Sequence, residues 1–483
     1  MNAFRHPIQL LFLTAAAVLS ACGPVPIETL PDTSGKEQPD AADDVAIDIN
    51  QDVQIPGTDA SGDAKKDVDP NAKESCGNNV DDNGDGRVDE NCWPAPNLRA
   101  DETWYDFGTI AIGGSAGSAP TLTFNAAQKN QGMALVARDI TAGQKGYVWA
   151  EQLLAPSGLM LIGSGDQWAT SFNRTGPEVA VATAMLGESE KVSVLPGTWT
   201  FGFVRALVPP WSYTGTPLKG YLQIGLMTRP DNAEKPVLLD LDVYLVGGTT
   251  GMTPDAFGKS VQWQQIRGKI EAMWSGKDSG QMGIGIKLGN VQFFAIDGDD
   301  GVKFKYLDNV LAGDDTNELP QVYQATGALR PFSTAATLVL VSGLDDKGLS
   351  VAAGLSQLAG INGLANSRMS GMAVAIEEAT WKQAVAEGNS TTTAGDVWGV
   401  IIAHEIGHFL GLWHTDEHDG SLHDPLGDTP ECSVTGQTLT ADVCPVSAKN
   451  LMFWAPDNQG KPLSITPDQH VVVRHSPTLY PAP

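Results

Sequence analysis

At 483 residues, with 42% hydrophobic and 18% charged side chains, the chain has an ordinary globular composition and the length of about three structural units. Its formal net charge of −27 argues against nucleic acid and anionic membrane surfaces as partners, because both are held by basic patches that release counterions. Neutral or basic polymers, peptides among them, remain.

Arg5 precedes an apolar run from Ile8 to Val18, and Leu19-Ser20-Ala21-Cys22 follows. A charged start, a short apolar stretch and small residues make a signal peptide, and the run is too short to span a bilayer. Small residues directly before a cysteine resemble the lipobox of bacterial lipoproteins. That resemblance implies that residues 1–22 are signal peptide and lipobox and that Cys22 is lipidated. The protein would then be exported and lipid-anchored at the outer membrane or cell surface. The plainer alternative is an ordinary cleaved signal with Cys22 as an incidental thiol. The chain has five cysteines. Lipidation of Cys22 leaves two local pairs, Cys76 with Cys92 and Cys432 with Cys444, and an oxidising compartment favours a short-loop disulfide in each.

Residues 23–75 are rich in Asp, Pro, Gly, Ser and Ala, too poor in apolar surface to offset chain entropy, and are expected to be a disordered acidic linker. Residues 76–92 follow. Asp81, Asn83, Asp85 and Asp89 occupy alternate loop positions, Gly86 the turn and Arg87 the position whose carbonyl ligates in an EF-hand loop. Cys92 stands where a closing bidentate Glu belongs, and Glu90 comes two residues early. The segment resembles the disulfide-braced calcium loops of thrombospondin-type repeats. A bound Ca2+ and a bare polar turn both fit.

Between Trp93 and Pro230 short apolar or alternating runs recur between Gly, Pro and Asn turns: Thr121 to Phe124, Met133 to Val136, Leu159 to Ile162, Val192 to Leu195 and Trp199 to Val204. This spacing predicts an all-β sandwich over 93–232. Its segment Val194 to Phe201 resembles the small jelly-roll domains that accompany secreted bacterial peptidases. A binding module and a well-packed spacer are both compatible with it.

From 233 to 483 strands and helices alternate, which predicts an α+β domain. Leu238 to Val246 is strand-like. Thr253 to Trp274 has a helical period, with Thr253 as cap and Pro254 in the first turn. Further strands are expected at Met282 to Lys287, Ala336 to Ser342 and Met372 to Ile376, with a Gly-rich stretch from Gly348 to Gly371 before the last. Val397 to Leu412 is a helix.

That helix carries the chemistry. It contains His404-Glu405-Ile406-Gly407-His408, and Gly411 and His414 follow. Histidines four apart share one helix face and can present two imidazoles to one ion. Gly411 can take a left-handed conformation and turn the chain so that His414 becomes the third ligand. Glu405, beside the first ligand, can hold a metal-bound water without ligating. Three protein ligands plus an open position is the arrangement of catalytic zinc. Val400, Ile401, Phe409, Leu410 and Leu412 supply the buried side of the helix.

The pattern HExxHxxGxxH resembles that of the metzincin metalloproteases, and Asn450-Leu451-Met452-Phe453-Trp454 resembles their Met-turn. The resemblance implies an α+β catalytic domain with a mixed twisted sheet, an active-site helix and Met452 beneath the metal. It further implies that Met372, Ala373, Val374, Ala375 and Ile376 form an antiparallel edge strand that pairs with substrate. His423 to Cys432 and Ser464 to Gln469, the latter with Thr466 as cap and Pro467 at the first helical position, are similar to the pappalysin-like branch. Asp424 and Asp428 fit either calcium ligation or turn formation. Trp454 departs from that branch, which has a tyrosine there, so a hydroxyl able to assist the reaction is missing; His418 and His423 lie nearby in sequence.

The implied function is that of a monomeric zinc endopeptidase in which Zn2+ is held by His404, His408 and His414 and Glu405 is the general base. Two other readings share these residues: a zinc hydrolase of cell-wall peptide cross-links, and a non-catalytic surface lipoprotein.

Overall fold

The computed structural model describes residues 97–99, 101–112, 121–126, 130–141, 146–162, 174–179, 181–187, 194–206, 218–230, 237–275, 285–310, 316–346, 349–350, 353–356, 370–377, 380–382, 394–455 and 463–482. Cys22, Cys76, Cys92 and the loop residues Asp81, Asn83, Asp85, Arg87 and Asp89 lie outside them. Among the described residues no helix is long and apolar enough to cross a membrane.

The first unit is all β. Its strands are β1 (Thr103–Ile112), β2 (Thr121–Ala126), β3 (Asn130–Asp139), β4 (Tyr147–Leu154), β5 (Met160–Ile162), β6 (Arg174–Val179), β7 (Val181–Gly187), β8 (Gly197–Ala206) and β9 (Gly220–Pro230). They pair in the order β1-β9-β3-β7-β6-β4-β8-β2, with β5 on β4. Every pairing is antiparallel. The path folds back on itself. Tyr105 and Phe107 of β1 meet Phe124 of β2, at the far end of the order, with ring centroids 4.7 and 6.2 Å apart. One apolar core takes Met133, Leu135, Leu222, Ile224 and Leu226 from one end of the path and Val148, Leu153, Trp199, Phe201 and Phe203 from the other. Four of the five sequence-predicted runs fall in strands. The fifth does not: Val194 and Leu195 are irregular, and the Leu195 carbonyl instead accepts the Trp199 indole N–H at 3.1 Å.

The second unit is layered. Strands β10 (Val237–Val246), β11 (Ile286–Ile296), β13 (Ala336–Val341), β16 (Gly354–Ser356) and β17 (Met372–Ala375) form a sheet ordered β11-β10-β13-β17-β16, to which β18 (Tyr480–Pro481) adds on β10. A small second sheet joins β12 (Tyr306–Leu307), β14 (Gly343–Asp346) and β15 (Leu349–Ser350). β10, β11, β13 and β17 are mutually parallel; β16 and β18 run antiparallel to their neighbours. Alternate residues of β10 face opposite layers, as a two-residue period requires. Leu239, Leu241, Val243 and Leu245 enter the core that holds the metal-site helix, while Tyr244 and Val246 enter the core on the other face. A sheet buried on both faces needs apolar residues at consecutive positions, which is why these strands read as unbroken apolar runs.

Helices α1 (Pro254–Lys259), α2 (Val261–Ser275) and α5 (Val400–Phe409) pack on the first face, through Phe257, Trp263, Ile266, Ile270, Trp274, Ile402, Ile406 and Phe409. On the second face lie α3 (Gly298–Lys303) and α4 (Glu318–Leu329), the latter through Leu319, Val322 and Tyr323. The chain finishes with α6 (Pro467–Arg474) before β18.

Three expectations are corrected here and one element is added. The helix predicted from Thr253 to Trp274 is two, because the extended Ser260 ends α1 while its hydroxyl accepts from Trp263 N–H at 3.1 Å and starts α2. The strand expected to end at Lys287 instead runs from Ile286 to Ile296. The sequence reading also missed α4 altogether. Met372 to Ile376 is not an antiparallel edge strand: Met372–Ala375 lies between β13, to which it is parallel, and β16. The cause is burial, for Met372, Ala373, Val374 and Ile376 are all 0% exposed. Such a run satisfies an interior strand with covered faces as well as it does an edge. Among the described residues the strand that ends the sheet is β16, inside the Gly-rich stretch.

The two units touch through Phe332, which packs on Ala134, Val136, Met185 and Met227, and through charge. Arg99 bonds Glu102 at 2.7 Å and Asp240 of β10 at 2.6 Å and lies 3.9 Å over the Tyr480 ring, while Arg229 pairs with Glu102.

Candidate metal centre

The metal-site helix begins with a single π-helical turn, Gly395–Gly399, and continues as α5 to Phe409, three residues short of the predicted end. The Leu412 N–H bonds the Gly407 carbonyl and the Gly411 N–H that of His408. Gly411 has φ 118°, a conformation that strains residues with a side chain. This turn carries His414 back to the helix. The three imidazoles meet. Nε2 of His408 lies 3.1 Å from that of His404 and 3.0 Å from that of His414, and the remaining pair are 3.3 Å apart.

The other ring nitrogens decide what these contacts are. His404 Nδ1 faces the Leu451 carbonyl at 2.6 Å, His408 Nδ1 the Leu412 carbonyl at 2.9 Å, and His414 Nδ1 a Glu417 carboxylate oxygen at 3.2 Å. Each acceptor fixes the proton on Nδ1, so all three Nε2 atoms present lone pairs and cannot hydrogen-bond one another. Three buried lone pairs converging on one point fit a cation. Their spacing fits zinc, since nitrogens bound at 2.0–2.1 Å in a tetrahedron stand about 3.3 Å apart. Among the described residues these are the one group of three or more His, Cys, Asp or Glu side chains able to share an ion. Burial, with the neighbouring His414 adding to it, pushes the His404 pKa down to about 3, which keeps that imidazole neutral and able to ligate at any ordinary pH.

Glu405 is buried at 4% exposure. It projects toward β16, where a side chain at Gly354 would meet its carboxylate. Beneath the helix Met452 is fully buried, and its sulfur approaches so closely that a Cβ at Gly407 would collide with it. The turn that carries Met452 is a hydrogen-bonded one, Phe453 N–H to Asn450 carbonyl at 3.2 Å, braced by Met452 N–H on the Asn450 side chain at 2.8 Å. Asn450 in turn donates to Gln469, whose side chain closes the capping box that Thr466 begins on α6. Thr415 N–H bonds the Met452 carbonyl at 2.9 Å, so the third ligand and the Met-turn are tied directly.

The other predicted residues take structural places. Cys432 and Cys444 form a disulfide, in a small core with Leu439, Ala448 and Phe453. Trp454 packs against this core and donates its indole N–H to the Leu439 carbonyl at 3.0 Å. His423 bonds the buried Asp416 at 2.7 Å, and the same Asp416 oxygen accepts from Cys432 N–H. The His418 ring lies edge-on to Trp454, with centroids 6.2 Å apart. Asp424 accepts from Leu426 N–H and Thr429 hydroxyl, and Asp428 accepts from Asp468 N–H at the start of α6, so both act in turns and caps. Burial pushes the Asp424 carboxyl up to about 7.

Sequence reasoning missed Glu417, Asp416, Asn450, Gln469 and Gly354. Two of these had a readable signal: Glu417 is a carboxylate three residues beyond His414, and Gln469 stands three residues after the Thr466 cap, the spacing of a capping box.

Residues 361–474, which span α5, the three histidines, the Met-turn and α6, match the model of metallo-peptidase family M12B, reprolysin-like. The chain carries a metallopeptidase domain. No curated protein matches it. Among solved structures, metalloproteinase-II from Bacteroides fragilis is 14% identical with a TM-score of 0.26, over 52% of this chain and 61% of that one. A glycosylation-associated protein complex from Streptococcus agalactiae is 9% identical with a TM-score of 0.15, over 49% of this chain and 63% of that one. The chain thus spans less than two thirds of either, and likenesses this loose carry no further argument.

Proposed function

We propose that this protein is a zinc-dependent endopeptidase of the metzincin type, exported as a lipoprotein and acting on extracellular or periplasmic proteins. One observation carries the reading: three buried Nε2 lone pairs, each oriented by an acceptor at Nδ1, converge beside a buried glutamate on the same helix. Zinc bound there supplies a Lewis acid and a water acidic enough to attack near neutral pH. Glu405 takes the proton of the attacking water and returns it to the leaving amine. The Met-turn, through the Leu451 carbonyl, holds His404 in the ligating tautomer. Substrate lies extended along the outer edge of β16, which carries no further strand among the described residues.

The finer assignments rest on this frame. Residues 423–432 and 464–469 favour a pappalysin-like subtype, although the Trp454 indole is spent on Leu439 and offers the reaction nothing. The contact of β1 with β2 across one core supports a β-sandwich at 93–232, and the change from an antiparallel sheet through Pro230 to a separate, largely parallel one from Val237 supports the start of the catalytic domain near 233. Signal peptide and lipobox at 1–22, lipid on Cys22, an acidic linker at 23–75 and a calcium-type loop at 76–92 complete the proposed plan.

The test compares the wild-type enzyme with Glu405→Gln on a peptide library and on purified cell wall, with zinc content measured in both. Library cleavage by the wild type alone, with zinc retained in the variant, supports the reading. Substantial turnover by Glu405→Gln refutes the assignment of the base, and cleavage confined to wall material moves the substrate class to peptide cross-links.

A further inference from the structure

β16 contains a glycine that its own backbone does not require. Gly354 pairs with Val374 of β17 in antiparallel register and is not among the glycines with positive φ. Glycine at such a position weakens a strand. Space explains it. A Cβ on Gly354 would stand 2.5 Å from Glu405 Oε1, 2.8 Å from its Cγ and 2.9 Å from its Cδ. These three nearest atoms all belong to one side chain, the glutamate that the functional reading makes the general base.

The strand has little room to retreat. Leu355 is 2% exposed in the core behind β16, Tyr323 hydroxyl donates to its carbonyl at 3.4 Å, and Ala375 N–H bonds the Ala353 carbonyl at 2.9 Å. The Glu405 carboxylate, by contrast, ends a side chain with rotatable bonds. A methyl group at 354 therefore moves the carboxylate rather than the sheet. That shift turns the buried Glu405 side chain from its Cγ outward and is expensive for chemistry, because a general base works only when its oxygen lies within about 2.6–3.2 Å of the heavy atom that carries the proton. We propose that Gly354 is a positioning residue, whose missing side chain sets where the Glu405 carboxylate stands. The inference rests on Glu405 as base.

Gly354→Ala is compared with wild type and Glu405→Gln in the full-length zinc enzyme. Zinc content should be unchanged and the unfolding temperature should fall by no more than about 3 °C. kcat should drop by about 100-fold, the scale of a misplacement near 1 Å, with KM within about twofold. The crystal structure of Gly354→Ala should hold β16 in register with the carboxylate in a new rotamer. Wild-type kcat, or a structure in which β16 has moved and the carboxylate has not, overturns the inference. If Gly354→Ala fails to fold, Gly354→Ala combined with Glu405→Ala must fold and bind zinc normally; unfolding of that pair too means the clash is not with Glu405 and overturns it equally. Failure of the functional reading is separate. Turnover by Glu405→Gln, or no peptide cleavage by wild type, refutes the base, while the variant structure still decides what Gly354 does.

Discussion

Replacing Glu417 by glutamine takes a charge away from His414 while leaving an acceptor for its Nδ1. Of the three histidines only His414 is oriented by a carboxylate; the other two rely on the backbone carbonyls of Leu451 and Leu412. The pair is enclosed, with side-chain exposures of 8% and 11%, so solvent screens it little. Acceptors of this kind tune metal affinity by about 10–100-fold, or about 1.4–2.8 kcal/mol. Glu417→Gln keeps the orientation and loses only the charge, so zinc affinity should weaken by about tenfold. Glu417→Ala loses both and should approach about 100-fold. Competition against a fluorescent zinc chelator at pH 7.5 measures this directly, without any substrate. If Glu417→Ala holds zinc as tightly as wild type, the carboxylate does not tune the site and the argument fails.

Three more predictions concern stability and the Met-turn neighbourhood. In the zinc-free protein His404 stays neutral in the native state down to about pH 3, whereas the unfolded chain takes a proton near pH 6.5. Unfolding free energy should therefore fall as pH drops from 6.5 toward 3, by as much as about 5 kcal/mol from this group; urea titrations of apo wild type and apo His404→Gln locate it, and identical pH slopes would dismiss it. Cys432→Ser with Cys444→Ser opens a loop with a sequence separation of 12 and should cost about 3 kcal/mol in reversible unfolding; an unchanged midpoint would show that the disulfide restrains nothing. Trp454→Phe loses the bond to the Leu439 carbonyl and part of the ring that packs on the disulfide core. It should cost about 1 kcal/mol of stability and leave kcat within about twofold, so a large loss of kcat would return the indole to the reaction.

The metal site was legible because its geometry is local. His404 and His408 need only the helical period, and Gly411 only the freedom to turn; the histidines then converge as spacing required. Helix starts were legible for the same reason: Thr253 before Pro254 and Thr466 before Pro467 cap α1 and α6 by bonds that span three residues. Ser260 defeated the prediction between them, since a serine inside an apolar helical period reads as a tolerated polar residue until its hydroxyl is seen capping a second helix.

The sequence by itself determined the chemistry on offer: which three histidines gather where an ion could be held, which glutamate stands beside them and which methionine lies below. Only the tertiary structure decided what holds those residues in place. The acceptor for His404 comes from a residue 47 positions away, and main-chain carbonyls carry no identity that a sequence can display. Sheet order is equally nonlocal. An apolar run such as Met372 to Ile376 states that it is buried but not beside what, so the edge passed to β16, whose one informative residue, Gly354, is informative through the atom it lacks.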